Sequence, residues 1–188
     1  MKRSLLYLAG VLLLLCSMTS WSDEYSDTVA LFKNAGASAT FFSNSYGYAV
    51  FPTIGKGGLG VGGAHGNGRV YKQGTYVGDA SMTQVTVGLQ AGGQAYSQII
   101  FFEDERAFSE FTNGNFEFSA DANAVAITAA AGASATTTGS SAGASGGAKD
   151  ATTKGKYHKG MAIFTIVKGG AMYQATLGGQ KYKYKPKA

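Results

Sequence analysis

The sequence predicts a β-rich α+β fold: a single domain of mostly antiparallel strands with one or two short helices. Two observations carry this prediction. Long stretches alternate small or apolar residues with polar ones, which is the period of a β-strand. Glycine is abundant, with 28 residues in 188, and glycine pairs divide these stretches as turns would. Only residues 23–35 and 103–113 combine an acidic start with an apolar stripe, partial in the first, that is typical of a helix.

The centre of the predicted sheet is the glycine-rich stretch at residues 51–69. Gly58, Gly60 and Gly62 alternate with leucine and valine, so the three glycines share one face of a strand. A bare glycine face weakens a strand, because glycine loses much backbone entropy on folding and packs nothing. Such a face is useful where another backbone, a bulky side chain or a ligand must come very close.

Turn signals divide the strands around this stretch. Residues 46–50 alternate as a strand, and Pro52 predicts either the end of that strand or an edge position. The Gly-Asn-Gly sequence at residues 66–68 predicts a hairpin turn, followed by a returning strand and another turn at Gly74. Residues 81–90 alternate again, and we expect the glycines at 92–93 to interrupt that strand.

The later predicted strands contain larger side chains than the glycine-rich stretch. Residues 99–102 (Ile-Ile-Phe-Phe) indicate a strand buried on both faces, and residues 161–167 predict a core strand. Residues 181–187 alternate lysine with tyrosine, which places Lys181, Lys183 and Lys185 on one face. Lysines of this kind are typical of an edge strand protected against aggregation, and they are equally compatible with ligand binding.

The N-terminus predicts export. Residues 1–22 read as a signal peptide, with Lys2 and Arg3 followed by an apolar run too short to span a membrane. Cleavage before Asp23 gives a periplasmic or secreted protein, and lipid attachment at Cys16 is the alternative. The remaining domain covers residues 23–188, and its small-residue tract at about 129–154 predicts a mobile loop.

Enzymatic and cofactor chemistry finds little support in the sequence. Residues 58–63 match the letters of a dinucleotide fingerprint, but a turn and a strand follow where a helix is required. The two histidines are isolated, so we expect no metal, no cofactor and no catalytic residue. The remaining enzymatic alternative is a hydrolase that uses two of the carboxylates Asp79, Glu117 and Asp121.

Binding of an anion has more support. Several basic residues lie near glycine-rich turns, where open backbone N–H groups and a nearby cation form anion-binding concavities. Scattered lysines that only confer solubility remain the plain alternative. The predicted ligand-binding residues are Lys56, Gly58, Gly60, Gly62, Arg69, Lys72 and Lys168. The net charge of +5, of which two charges lie in the signal peptide, is too small to predict nucleic-acid binding.

The chain resembles the SYLF lipid-binding domain family. Residues 49–63 resemble the family's phenylalanine-proline and lysine-glycine-glycine run, and this match is fairly specific. Later segments follow in the family's order: residues 87–93, 99–111, 118–122 and 159–163. The resemblance spans about residues 27–177.

The resemblance implies a compact β-rich domain that binds phospholipid, namely phosphoinositides in eukaryotic members, with actin regulation in some. Because an exported chain would not meet actin, we expect an anionic phospholipid or another lipid of the cell envelope as its ligand. The first hypothesis is therefore a non-catalytic module that recognises anionic lipid or a membrane surface. The alternative is a structural or protein-interaction module of the envelope, whose basic terminal strand docks a partner.

Overall fold

One long β-hairpin organises the fold. The computed structural model describes residues 23–118, 125–127, 156–169 and 179–188, apart from the side chains at 59, 60, 86–92, 125–127 and 169. Strand β1 (Gly47–Lys72) pairs antiparallel with strand β2 (Thr75–Phe102). The two residues that join them, Gln73 and Gly74, have φ angles of 48° and 80°. Positive φ at both positions is the geometry of a type I′ hairpin turn, whose twist matches that of the strands.

The hairpin turn predicted at residues 66–68 is wrong, since these residues lie inside β1, which continues to the turn at Gly74. The interruption predicted at residues 92–93 is also wrong, because β2 runs through both glycines. Pro52 does not end the strand as one prediction had it, because β1 continues past it through a register shift. The alternative prediction of an edge position is confirmed, since β1 pairs with β2 alone among the described strands.

The hairpin bends sharply in its middle and folds back on itself. Its register breaks between Leu59 and Val61, which pair with Ala91 and Val87, so β2 has extra residues opposite Gly60. Such an irregularity lets a strand turn a corner. We call residues 56–63 and 85–93 the bend. The part of the hairpin that contains residues 47–55 and 94–102 is the inner half, and the part that contains residues 64–84 is the outer half.

Glycines permit the two halves to meet. A Cβ atom at Gly66 would lie 2.7 Å from Cγ1 of Ile54 and 2.9 Å from the carbonyl oxygen of Thr53. A Cβ atom at Gly68 would lie 2.6 Å from the ring of Phe51. These distances leave no room for a side chain, so residues 66–68 serve close packing between layers rather than a turn.

Within the described ranges, the remaining strands extend the hairpin into one six-stranded sheet, and the predicted β-rich α+β fold class is confirmed. Strand β5 (Met161–Gly169) pairs with the inner half of β2, and β6 (Gln180–Pro186) pairs with the outer half. Strand β3 (Asn115–Glu117) adds to β6. Strand β4 (Val125–Ile127) adds to β5 and is the parallel member of an otherwise antiparallel set.

The first core lies between the two halves of the hairpin. Helix α4 (Glu105–Thr112) closes it, and the Asp104 carboxylate caps that helix by accepting a hydrogen bond of 2.8 Å from the N–H of Ala107. This helix was predicted at residues 103–113 and is confirmed. The core contains buried residues from both halves and from the helix: Phe51, Ile54, Val70, Met82, Ile100, Phe102, Phe111 and Tyr182.

The second core covers the other face of the inner half. Helix α1 (Glu24–Asn34), predicted at residues 23–35, lies here with two four-residue helices, α2 (Gly36–Ala39) and α3 (Phe41–Asn44). Residues 99–102 alternate between the two cores and all four are fully buried. The prediction of a strand covered on both faces is therefore confirmed. Residues 1–22, 171–178 and the tract predicted as a mobile loop lie outside the described residues.

Candidate functional site

The bend combines open space with close backbone contact. A Cβ atom at Gly58 would collide with the Cα of Gly62 and lie 2.5 Å from the carbonyl oxygen of Val61. The close neighbour of this glycine is therefore the chain's own backbone. Val61 and Val85 stand out of the same bend with 63% and 68% of their surface exposed. Together with Leu31 they are the large apolar residues most open to solvent in the described chain.

Lys56 is the cation of the bend. It follows Ile54 on the face of β1 that turns toward the first core, and its side chain is half-buried. Neither a hydrogen bond nor an ion pair joins Lys56 to another residue in the described ranges. Burial alone lowers the pKa of Lys56, because the charged ammonium group loses water that no carboxylate replaces. Lys56 is therefore a half-buried cation without a counter-charge among the described residues.

Arg69 has a structural partner. Its guanidinium group forms a salt bridge with Asp23, the N-cap residue of α1. The same group stacks 4.1 Å from the ring centre of Tyr25 and lies 5.3 Å from that of Tyr76. A guanidinium held by a carboxylate and two aromatic rings fixes the start of the helix on the outer half.

Lys168 fixes the same helix to the inner half. Its Nζ atom lies 3.4 Å from a carboxylate oxygen of Glu24 and donates a hydrogen bond of 2.8 Å to Oγ1 of Thr53. The hydroxyl group of Thr53 in turn donates a 2.8 Å hydrogen bond to Glu24. Lys168 and Arg69 therefore hold the first residues of α1 against both halves of the hairpin.

Lys72 lies at the other end of the molecule. It is the last residue of β1, and its ammonium group lies 5.0 Å from the ring centre of Tyr46. A hydrogen bond to the hydroxyl oxygen of Tyr46 raises the pKa of Lys72. Tyr46 is adjacent to Gly47, the first residue of β1. Lys56 follows Gly47 by nine residues, so about 30 Å of strand separates the position of Lys72 from that of Lys56. Of the seven predicted residues, the structure brings together Lys56, Gly58, Gly60 and Gly62 at the bend.

A polar layer in the first core was missed by the sequence analysis. Nε2 of Gln98 donates to the hydroxyl oxygen of Tyr182 at 2.8 Å, and that hydroxyl donates to Oε1 of Gln180 at 2.7 Å. Nε2 of Gln180 then donates to the hydroxyl oxygen of Tyr96 at 3.2 Å. The sequence signal that could have revealed this layer is strand alternation, which places these glutamines and tyrosines on the same strand faces as the apolar core residues.

The two tyrosines of this layer remain protonated. Burial raises the pKa of Tyr182 and of Tyr96 well above the usual value for a phenol. Both hydroxyl groups therefore keep a proton to donate at neutral pH. The layer is uncharged, and its hydrogen bonds have defined directions.

The carboxylates of the hydrolase alternative lie in surface interactions. Asp79 accepts a hydrogen bond of 2.8 Å from the hydroxyl group of Tyr76, and Glu117 lies 3.6 Å from Nζ of Lys181. Asp121 is outside the described residues. Within the described ranges, no group of three or more histidine, cysteine and acidic residues could hold a metal, and no helix is long and apolar enough to cross a membrane.

The terminal strand confirms the predicted alternation. Tyr182 is fully buried in the first core, whereas Lys181, Lys183 and Lys185 are exposed on the outer face of the sheet. Strand β6 is covered by β3 on one side and by β2 on the other. Lys181 and Lys183 therefore lie on a face of the sheet between two paired strands, whereas Lys185 pairs with β2 alone among the described strands.

Comparison with known proteins agrees with this fold. Residues 83–186, more than half of the chain, match the Ysc84 family, which is described as Las17-binding protein actin regulator. The chain belongs to this family. The resemblance to the SYLF domain, which is the same family, is thereby confirmed. Beta cell expansion factor A of Aeromonas veronii is a relative with 29% identity over 156 residues.

This alignment covers 82% of the chain and 51% of the relative, so the chain spans about half the length of that protein. The matched family region, residues 83–186, begins near the bend in β2 and ends with β6. Lys56 and Gly58 lie before it. Family membership accordingly supports a lipid- or actin-related binding module, and the site at the bend depends on the geometry described above.

Proposed function

We propose that this protein is an exported, non-catalytic module whose bend binds anionic phospholipid at the cell envelope. The observation that carries the proposal is Lys56, a half-buried cation at the bend without an ion pair to the described residues. It lies two residues before Gly58, where β1 packs on its own backbone, and the exposed side chains of Val61 and Val85 belong to the same bend.

The lysine supplies the attraction for a phosphate group. Burying a cation without a counter-charge costs free energy, and an anion that replaces the lost water recovers that cost. A basic residue close to an anionic membrane contributes about 1 kcal/mol to binding. An ammonium group in a recess favours a ligand that projects into it, as a lipid headgroup would.

The valines supply contact with the apolar part of the lipid. Moving an exposed valine out of water stabilises the complex by about 1.5–3 kcal/mol when its burial is complete. Val61 and Val85 are on neighbouring strands, because Gly63 pairs with Val85 and Val61 pairs with Val87. A half-buried cation and two exposed apolar side chains in one bend match the chemistry of a membrane surface, in which phosphates lie next to acyl chains.

Export and the absence of catalysis belong to the same proposal. The signal-peptide pattern of residues 1–22 supports a mature chain that begins at Asp23. Asp23 is the N-cap residue of α1, so cleavage there leaves the described domain whole. Mass spectrometry of the protein from a periplasmic or secreted fraction tests this. A mass that includes the leader contradicts it, and a mass that indicates acylation at Cys16 favours a lipid anchor.

Co-sedimentation with vesicles tests the lipid site. Vesicles of phosphatidylcholine with increasing phosphatidylglycerol are mixed with wild type, Lys56→Gln and Lys72→Gln. We expect Lys56→Gln to weaken binding about fivefold, which is the equivalent of about 1 kcal/mol. Lys72→Gln removes the same charge about 30 Å away, beyond the screening length of about 8–10 Å, and should change binding less than about twofold.

Two results contradict the lipid site. One is an equal loss of binding in both variants, which would indicate a diffuse effect of net charge. The other is binding that does not depend on phosphatidylglycerol or on salt. Thermal unfolding of each variant provides the control for folding, and Lys56→Gln should melt at the wild-type temperature or above it, because it removes a poorly compensated buried charge.

A protein partner is the second candidate function. The family's description names a Las17-binding actin regulator, and the exposed lysines on the outer face of β6 offer a surface for an acidic partner. Deletion of this strand would remove the buried Tyr182 from the core. The suitable test is therefore Lys183→Gln with Lys185→Gln, since loss of partner binding with vesicle binding intact would favour this function.

A further inference from the structure

The polar layer of the first core contains two neighbouring groups that have no hydrogen-bond partner among the described residues. Gln98 on β2 is the direct pairing partner of Thr165 on β5. Directly opposed residues of an antiparallel pair lie on the same face, with Cβ atoms about 5 Å apart. Both residues are fully buried, and the neighbouring pair Ile100 and Ile163 belongs to the first core.

Oε1 of Gln98 and Oγ1 of Thr165 have no hydrogen-bond partner among the described residues. The amide nitrogen of Gln98 is already engaged with Tyr182 and, at 3.4 Å, with Gln180. Buried polar atoms are nearly always hydrogen-bonded, and an orphaned one costs free energy comparable to a lost hydrogen bond. Two orphans from adjacent positions point to one shared partner.

The chemistry of that partner follows from the two atoms. Oε1 of Gln98 only accepts, so the partner must donate, and the hydroxyl group of Thr165 both donates and accepts. A hydroxyl group matches both, since it can donate to the glutamine and accept from the threonine. No charged side chain belongs to this layer within the described ranges, so a phosphate or a carboxylate group does not fit it.

We propose that the layer between Gln98 and Thr165 binds a hydroxyl group of a small polyol. Residues on the same face of β2 become more exposed from Gln98 toward the bend. Gln98 is fully buried, Tyr96 is 5% exposed and Gln94 is half-buried, and Gln94 pairs with Lys56 at the bend. Solvent exposure along this face of β2 therefore increases toward the bend, which is the direction from which a polyol enters.

The polyol could come from two sources, a free sugar alcohol or the glycerol headgroup of phosphatidylglycerol. The second source rests on the proposed lipid site, because Lys56 would then hold the phosphate while the headgroup hydroxyls lie deeper. Both sources present the same hydroxyl chemistry to Gln98 and Thr165, and separate arms of one experiment distinguish them.

The experiment is an NMR titration of the full mature chain, observing the side-chain amide of Gln98. One arm adds free glycerol, myo-inositol or glycerol 3-phosphate, and the other adds nanodiscs that contain phosphatidylglycerol or phosphatidylserine. Wild type is compared with Thr165→Val, which keeps the shape of the side chain and removes its hydroxyl group. Thr75→Val, at an exposed position beside the hairpin turn, is the matched control.

The expected result is a saturable shift of the Gln98 resonance in wild type and in Thr75→Val, with affinity at least about tenfold weaker in Thr165→Val. At a hundred times the dissociation constant, the melting temperature of wild type should rise by about 5–10 °C. A response to phosphatidylglycerol nanodiscs, with none to free polyols or phosphatidylserine, supports the site with the headgroup as the source.

Two outcomes overturn the proposal. One is the absence of a saturable response in either arm. The other is an equal response of wild type and Thr165→Val, which would indicate a general solvent effect. If Thr165→Val does not fold, the resonance of Gln98 in wild type still decides the question. The free-polyol arm contains no membrane, so its failure is distinct from a failure of vesicle binding.

Discussion

Because the β1–β2 hairpin folds back at the bend, the folded hairpin has two ends, the bend and the end with the turn at Gly74, and these are built from opposite kinds of residues. At the turn end, aromatic rings pack in both cores: Tyr48 stacks on Tyr71 with ring centres 4.9 Å apart, and Phe102 lies 4.9 Å from Phe111. At the bend, β1 is rich in glycine, Val61 and Val85 are exposed, and Lys56 lies without a counter-charge from the described residues. The comparison indicates that the turn end stabilises the fold, and the proposed lipid site lies at the other end.

Both ends are formed by the same two strands, β1 and β2. The difference between the ends therefore comes from their side chains and not from the topology. Aromatic residues bury large areas and fix the relative position of the two halves. Glycine contributes little to stability, and it allows the bend that exposes Val61 and places Lys56 in its recess. Substitutions at the two ends should therefore separate stability from binding.

The largest effect is expected from Phe102→Ala at the turn end. Phe102 is fully buried and contacts the rings of Phe108 and Phe111 of helix α4. Removing it leaves a cavity, and we expect a loss of about 3–5 kcal/mol in the free energy of unfolding, measured by urea denaturation.

Val61→Ala at the bend is the matched comparison, since it also truncates an apolar side chain of the hairpin. Because Val61 is 63% exposed, its free energy of unfolding should change by less than about 0.5 kcal/mol. Weaker vesicle binding without a change in stability would sharpen the contrast between the ends. A large loss of stability in Val61→Ala would contradict the contrast between the turn end and the bend.

An intermediate effect is expected from Gly68→Ala, where the two halves touch. The new Cβ atom would lie 2.6 Å from the Phe51 ring and 2.8 Å from the Val50 carbonyl oxygen, so the layers must shift. Overpacking of this kind costs about 1–3 kcal/mol. Gly63→Ala, on the same strand at the bend, is the control. Its new Cβ atom would lie 3.5 Å from the carbonyl oxygen of Gln84, which is ordinary van der Waals contact, so we expect little change in stability. Similar melting temperatures for the two variants would show that the halves do not pack as described.

The smallest effect concerns pH at the turn end. Burial raises the pKa of Tyr48 to about 12, whereas a tyrosine in the unfolded chain ionises near pH 10. The folded state therefore holds this proton more tightly, so the stability is fully present below pH 10 and is lost between about pH 10 and 12. Tyr48→Phe should reduce the pH dependence of urea denaturation in this range, whereas Tyr76→Phe, at an exposed phenol, should reduce it less. An unchanged slope in Tyr48→Phe contradicts the assignment.

Much of the fold was predictable because local signals and tertiary structure agree. The acidic start of α4, the alternation in β6 and the apolar residues 99–102 each indicate their element and their buried face. The turn at residues 66–68 was wrong for a physical reason. Glycine and asparagine favour turns, but the glycines here are required where β1 packs against Ile54 and Phe51.

The site was predictable only in part. Lys56 and the glycines at 58, 60 and 62 are adjacent in sequence, so any fold brings them close together. Arg69 and Lys168 were chosen for their charge and proximity to glycine, but Asp23 and Glu24 neutralise them across the helix start. Sequence patterns do not reveal a salt bridge between residues 46 positions or 144 positions apart.

The sequence by itself determined which side chains share a face, because the two-residue period of a strand fixes the face of every position. Only the tertiary structure decided what meets that face. The two-residue period carries no information about which residue packs against a face, and the close neighbour of Gly58 proved to be the backbone of Val61 and Gly62 in β1 itself. The same limit concealed the pairing of Gln98 with Thr165, since these residues of β2 and β5 are 67 positions apart in the sequence and their register arises from packing.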